Sequence, residues 1–232
     1  MKLTEMADGV FFVEGPASNW VILVGDGSTT LIDTGYPTDA PLVDASLARV
    51  SAGAPLRDIL ITHGHSDHIG SVRRLTADGT VTAWAARGEI PNITRQELHQ
   101  IGIGQILPNL WRPRYLKWTV HALRAEGLKD PGVRDVAALE PDVARRFGGQ
   151  VVIPRLTPGH TPGHLVFDLP DHGLVVTGDA VITGHATSTT TGRQELDAKW
   201  HWDAARAHGQ AAPLLVDARI VLPGHGPVEQ LR

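Results

Sequence analysis

Three short β-patterned runs open the chain, at residues 10–13, 20–24 and 29–33, and clusters of Gly, Pro, Asn and Asp separate them. That pattern predicts a meander of strands. A helix is predicted over residues 37–50, where Thr38 or Asp39 can cap it, Leu42, Val43, Leu47 and Val50 share a face, and Gly53 closes it. The apolar run Ile59-Leu60-Ile61 then reads as a buried strand that stops abruptly at Thr62. Residues 66–75 predict a helix whose unpaired N-terminal amides point back at that strand end, and residues 81–84 predict another strand.

From about residue 85 to 149 the pattern is helical, punctuated by Pro91, Gly102, Gly104, Pro108, Pro113, Pro131 and Pro141. It reads as an insertion over a sheet edge. Strand patterns return at residues 151–154, 164–169, 174–177 and 220–222. A Thr-rich loop at 182–192 and a helix over about 195–217, which Pro213 interrupts, lie between the last two. Strand-rich, helix-closed halves on either side of an insertion suggest a duplicated architecture without a visible sequence repeat. The 232 residues, 42% of them apolar, suit one sheet-based domain over 1–232.

Charge narrows the function classes. The net charge is −4, and no Lys/Arg block exceeds two adjacent residues, which argues against nucleic acid or anionic lipid as partner and for a small-molecule substrate. A homodimer is compatible with this composition. No apolar run approaches the ~20 residues of a membrane span, and the first residues lack a small-residue cleavage site, so the expected location is cytoplasmic, with no membrane association. The chain has no Cys, so any metal must be held by His and carboxylate.

The candidate chemistry sits at strand ends. In His63-Gly64-His65-Ser66-Asp67-His68, alternate side chains of an extended segment point the same way, so His63 and His65 can grip one ion while Asp67 and His68 aim at a second. His160 follows the strand at 151–154, Asp179 that at 174–177, and His225 that at 220–222, each beside a Gly that lets backbone approach closely. Asp33 ends the third run and is expected to stand behind the ligands. Trp111, Tyr115 and Trp118, at helical spacing, offer an apolar substrate wall, and His185 in the Thr-rich loop offers a hydrogen bond. His164 and the remaining histidines, His99, His121, His172, His201 and His208, read as packing or surface residues.

His63, His65, Asp67 and His68 in HGHSDH, His160 in TPGHTPGH, Asp179 in TGDA, His225 in PGHG and Asp33 in LIDTG resemble, in order, the motifs of the metallo-β-lactamase-fold hydrolase superfamily. The resemblance spans residues 31–226. It implies an α/β fold, a four-layer αββα sandwich, with His63, His65 and His160 on one metal, Asp67, His68 and His225 on the other, and Asp179 bridging. It also implies two divalent ions, zinc by default with Mn or Fe compatible, and a bridging hydroxide as nucleophile that Asp67 orients.

Branches of the superfamily are separated by what is missing. Zinc β-lactamases of the commonest kind place a Cys where Asp179 stands. Glyoxalase-II thioesterases add a C-terminal helical domain, whereas six residues follow Gly226. Nucleases of the superfamily carry basic additions that are not visible here. The acyl-homoserine lactonases share TPGHTPGH but use a Tyr three residues after the bridging Asp, where this chain has Ile182. Thr183 or Tyr115 would have to replace it. The expected activity is hydrolysis of a small ester-like bond, lactone or thioester. The alternative is an oxidoreductase similar to the superfamily's mononuclear iron persulfide dioxygenases.

Overall fold

The computed structural model describes residues 1–231. The chain forms β1 (Lys2–Ala7), β2 (Val10–Glu14), β3 (Asn19–Gly25) and β4 (Ser28–Ile32), then α1 (Ala40–Val50), β5 (Leu56–Leu60), α2 (Val72–Leu75) and β6 (Thr82–Ala85). Short helices α3 (Ile90–Ile93), α4 (Ile103–Ile106) and the longer α5 (Pro113–Arg124) follow. After them come β7 (Ala137–Ala138), β8 (Arg145–Phe147), β9 (Gln150–Leu156), β10 (Leu165–Leu169), β11 (Leu174–Gly178), α6 (Ala204–Ala207), β12 (Ile220–Pro223) and β13 (Glu229–Gln230). One sheet has the order β1-β2-β3-β4-β5-β6-β7 and the other β13-β12-β11-β10-β9-β8.

Period-two alternation explains how the layers close. In β3, Val21 and Leu23 face the second sheet, where they join Phe167, Leu169, Val176 and Leu222, while Trp20 and Ile22 face the other way. The outward side is covered by α1 through Val43, Leu42 and Leu47, and Trp20 Nε1 donates to Ser46 Oγ on that helix at 3.0 Å. Each such fully buried side chain contributes about 1.5–3 kcal/mol. β5 is buried on both faces, Leu60 inward and Ile59 outward, which is why its sequence reads as a continuous apolar run. The parallel pairs β4–β5 and β11–β12 send the ends of four strands toward one rim. Among the described residues, no helix is long and apolar enough to cross a membrane.

Three expectations are corrected. No helix starts inside residues 66–71: Thr34 N donates to the His68 carbonyl at 2.7 Å and Gly70 N donates to Gly35 O at 2.9 Å, so these groups are committed to the neighbouring loop and α2 begins only at Val72. The insertion is helical only as far as Arg124. β7 and β8 follow, joining β6 and β9. The helix expected over 195–217 is three short pieces, because Trp202 N and Asp203 N donate to the His160 and Gly159 carbonyls at 3.0 and 2.9 Å and tie the chain to the loop beneath.

Candidate metal centre

Asp33 follows β4, and the His63–His68 segment follows the parallel neighbour β5. His160, Asp179 and His225 follow β9, β11 and β12. The structure brings all of them together. Donor atoms of His63, His65, His160 and Asp179 lie within 4.8 Å of one another, and those of Asp67, His68 and His225 form a second such group. Asp179 stands between the groups. Its Oδ2 is 3.4 Å from His160 Nε2 and 3.3 Å from His225 Nε2, and its Oδ1 is 3.4 Å from His68 Nε2. Close backbone makes this possible: a Cβ on Gly224 would stand 2.5 Å from Asp179 Oδ1.

Outer partners fix the tautomers. His63 Nδ1 lies 3.0 Å from Thr62 Oγ1, whose own proton goes to Asp33 Oδ2, so the histidine donates. His68 Nδ1 donates to Asp33 Oδ2 at 2.8 Å, His65 Nε2 to the His99 carbonyl at 2.7 Å, and His225 Nδ1 to the Ala17 carbonyl at 2.7 Å. His160 Nδ1 is 3.3 Å from His201 Nδ1, whose Nε2 donates to the Leu196 carbonyl. Each ring therefore turns its other nitrogen to the centre.

That arrangement fits a cation. His63 Nε2, His68 Nε2 and Asp179 Oδ1 are buried without a hydrogen-bond partner, and His65 Nδ1 faces His160 Nε2 at 3.1 Å. Leaving buried acceptors unsatisfied costs about 1–3 kcal/mol each. Burial pushes His63, His65 and His160 below the ordinary imidazole range, keeping them neutral. Burial also opposes charge on His68 and His225, but Asp179 and Asp67 outweigh it and raise both. The carboxylates thus draw positive charge into the cluster.

Asp33 is held in the left-handed region, at φ 62°, where a non-glycine residue is strained. Three donors keep it there: Thr62 N at 2.9 Å, Thr62 Oγ1 at 2.7 Å and His68 Nδ1. Other supports were not foreseen. Glu89, fully buried, accepts from Gly64 N and Asn92 Nδ2 on one oxygen and from Thr161 Oγ1 and Gly163 N on the other, at 2.7–2.8 Å. Arg95 Nη1 donates to the Gly64 carbonyl at 2.7 Å, and Gln100 accepts from Ser66 N. His99 through its carbonyl, and His201 and His164 through their rings, are likewise outer partners and not surface residues. His164 Nε2 accepts from Asp179 N at 3.1 Å, and burial depresses its pKa to about 3.

A cavity of about 240 Å³ opens above the cluster, walled by Ile103, Ile106, Leu110, Trp118 and Leu123 from the insertion, with Tyr36, Asp67 and His185 at its polar end. Trp118 and His185 both line it. Trp111 does not reach the cavity, being 76% exposed, and Tyr115 lies outside it, buried under the Lys199 ammonium 4.6 Å from its ring. Thr183, considered as a tyrosine substitute, donates its hydroxyl to the Pro227 carbonyl. The hydroxyl-bearing ring that lines the cavity is Tyr36, seated edge-on against His121.

A family model described as the metallo-beta-lactamase superfamily matches residues 13–225. The probable metallo-hydrolase YflN of Bacillus subtilis is 29% identical over 78% of this chain and 63% of its own length. A hydroxyacylglutathione hydrolase of Cereibacter sphaeroides is 30% identical over 72% of this chain and 49% of its own. The chain thus spans less than two thirds of both relatives. A metallo-beta-lactamase family protein of Thermus thermophilus superposes with a TM-score of 0.68 at 19% identity, covering 97% of this chain and 76% of that one, a likeness of fold. With its two-sheet sandwich, its clustered His and Asp donors and a family match over nearly its whole length, this chain belongs to the metallo-beta-lactamase superfamily.

Proposed function

We propose that the chain acts as one domain and hydrolyses a small ester-like bond, lactone or thioester, at a centre of two divalent ions, zinc by default. The observation that carries this reading is the position of Asp179, whose two oxygens reach toward both donor groups. His63, His65 and His160 would hold one ion, Asp67, His68 and His225 the other, and Asp179 both. Ions held there supply acidified water and stabilise negative charge on a carbonyl oxygen.

The chain's own groups complete the task. Asp67, the most accessible of the donors, opens into the cavity, where it can orient a water and receive its proton. Burial, then Asp67, Asp39 and Asp179, raise the Tyr36 phenol well above 10, so it remains a donor and can protonate or hydrogen-bond the departing oxygen or sulfur. The apolar wall excludes water and receives the acyl group. Tyr36 thereby offers the cavity a hydroxyl, where the acyl-homoserine lactonases use a Tyr and this chain has Ile182. Tyr36→Phe should lower kcat about 10²-fold, the loss expected for one positioned donor, with metal content unchanged. An unaltered kcat would remove Tyr36 from the mechanism.

Metal analysis tests the centre itself. The purified protein should carry about two equivalents of divalent metal and hydrolyse lactones or thioesters, and His225→Ala should weaken one equivalent before the other. One equivalent of iron, indifferent to His225→Ala, would replace this reading with the mononuclear oxygenase.

A further inference from the structure

A second opening adjoins the first. On the far side of Trp118 and His185, which line both, lies an open groove of about 620 Å³ between α5 and the backbone of Gly15-Pro16-Ala17, Gly184 and Gly226-Pro227. Its floor runs behind the centre, because the Ala17 carbonyl takes His225 Nδ1 and the His185 ring lies 5.0 Å from the His225 ring. The two openings therefore meet at the reacting end of the cavity.

They differ in charge. The cavity is walled by aliphatic side chains, whereas the groove presents Arg114, Lys117 and His121 from one face of α5, at i, i+3 and i+7. Arg114 and Lys117 have no carboxylate partner among the described residues. The groove's own acid, Glu14, is paired with Lys2 at 2.7 Å. Arg114 is also oriented, since its Nη1 donates to the Ser188 carbonyl, and it lines the groove. Two uncompensated cations beside a mostly uncharged backbone wall attract an oxyanion.

Resting on the hydrolase reading, we infer that the substrate is an ester or thioester with an apolar acyl group in the cavity and an anionic oxyacid group, carboxylate or phosphate, on its alcohol or thiol portion in the groove. Hydrolysis then breaks the acyl C–O or C–S bond and gives water's oxygen to the acyl group. The anionic alcohol or thiol takes up a proton and leaves through the groove, and the apolar acid leaves through the cavity. Trp118, standing between the two, separates the halves.

The test uses the metal-loaded protein and matched pairs. Octanoyl thioesters of 3-mercaptopropionate and of its neutral carboxamide measure turnover, and the corresponding non-hydrolysable octyl thioethers measure binding through tryptophan fluorescence. The carboxylate member should be favoured about five- to tenfold in both kcat/KM and Kd at low salt, the range for one or two solvent-screened charge contacts, and less so at 0.5 M salt. Lys117→Gln, and the double variant Arg114→Gln/Lys117→Gln, should shrink that ratio stepwise toward one. A ratio near one in the wild type, or one that the double variant leaves intact, overturns the anionic subsite while turnover of both thioesters upholds the hydrolase. If neither thioester is cleaved but the thioethers keep their charge-dependent Kd ratio, the subsite stands and the hydrolase reading fails.

Discussion

Asp67→Asn should lower kcat by about 10²–10⁴, the range for losing a positioned acid/base group. The substitution preserves shape and removes charge. Asp67 Oδ2 lies 3.4 Å from His225 Nε2 and 3.9 Å from His68 Nε2, so the carboxylate shares their donor group, yet it is less buried than they are and faces the cavity. Asn retains one oxygen for a cation but cannot take a proton. The loss should therefore appear in kcat when metal content is matched between wild type and variant. The loop itself should survive, because Asp67 is anchored by backbone: Ser18 Oγ donates to its carbonyl at 2.5 Å. Undiminished turnover in a metal-replete variant would show that Asp67 only binds. Normal turnover restored merely by raising metal concentration would show the same.

The donors were legible because a local rule places each of them. A strand that runs into a short loop carrying a His or Asp beside Gly needs no long-range information to read, and the loops after β5, β9, β11 and β12 all follow that pattern. The inner and outer faces of β3 were likewise written in the alternation of Trp20, Val21, Ile22 and Leu23. The supports were not legible. Glu89 reaches Thr161, His160 reaches His201, and Asn19 Nδ2 reaches the carbonyls of Pro223 and Gly226, each across dozens to hundreds of residues, with no spacing to announce the meeting. Helical periodicity also misled at 195–217, where hydrogen bonds from Trp202 and Asp203 to the His160 loop outcompete continuation of a helix. The aromatic wall failed in part for the same reason. Trp111 precedes α5 and turns to solvent, while aliphatic Ile103, Ile106 and Leu110 fill the wall assigned to it.

Glu89→Gln should destabilise the protein by about 4 kcal/mol, within a total stability of typically 5–15 kcal/mol. The carboxylate is fully buried and accepts four hydrogen bonds, two per oxygen, with no cation paired to it among the described residues. An amide presents one oxygen and one NH₂, so whichever way it turns, two donors meet a donor, at about 1–3 kcal/mol for each unsatisfied group. Those donors are not remote from the chemistry. Gly64 lies between His63 and His65, and Thr161 and Gly163 follow His160, so one side chain ties together the two loops that carry His63, His65 and His160. Metal affinity should accordingly fall about 10- to 100-fold, as when an outer partner of a ligand is lost. Denaturant unfolding of the metal-free protein reads the first effect and metal titration of the folded protein reads the second. Glu89→Asp, which keeps the charge and all four lone-pair directions but is one methylene shorter, should recover part of both. A Glu89→Gln protein as stable as wild type would show that the clamp does not hold the fold. A destabilised variant with unchanged metal affinity would confine Glu89 to the fold and leave His63, His65 and His160 positioned by their own strands.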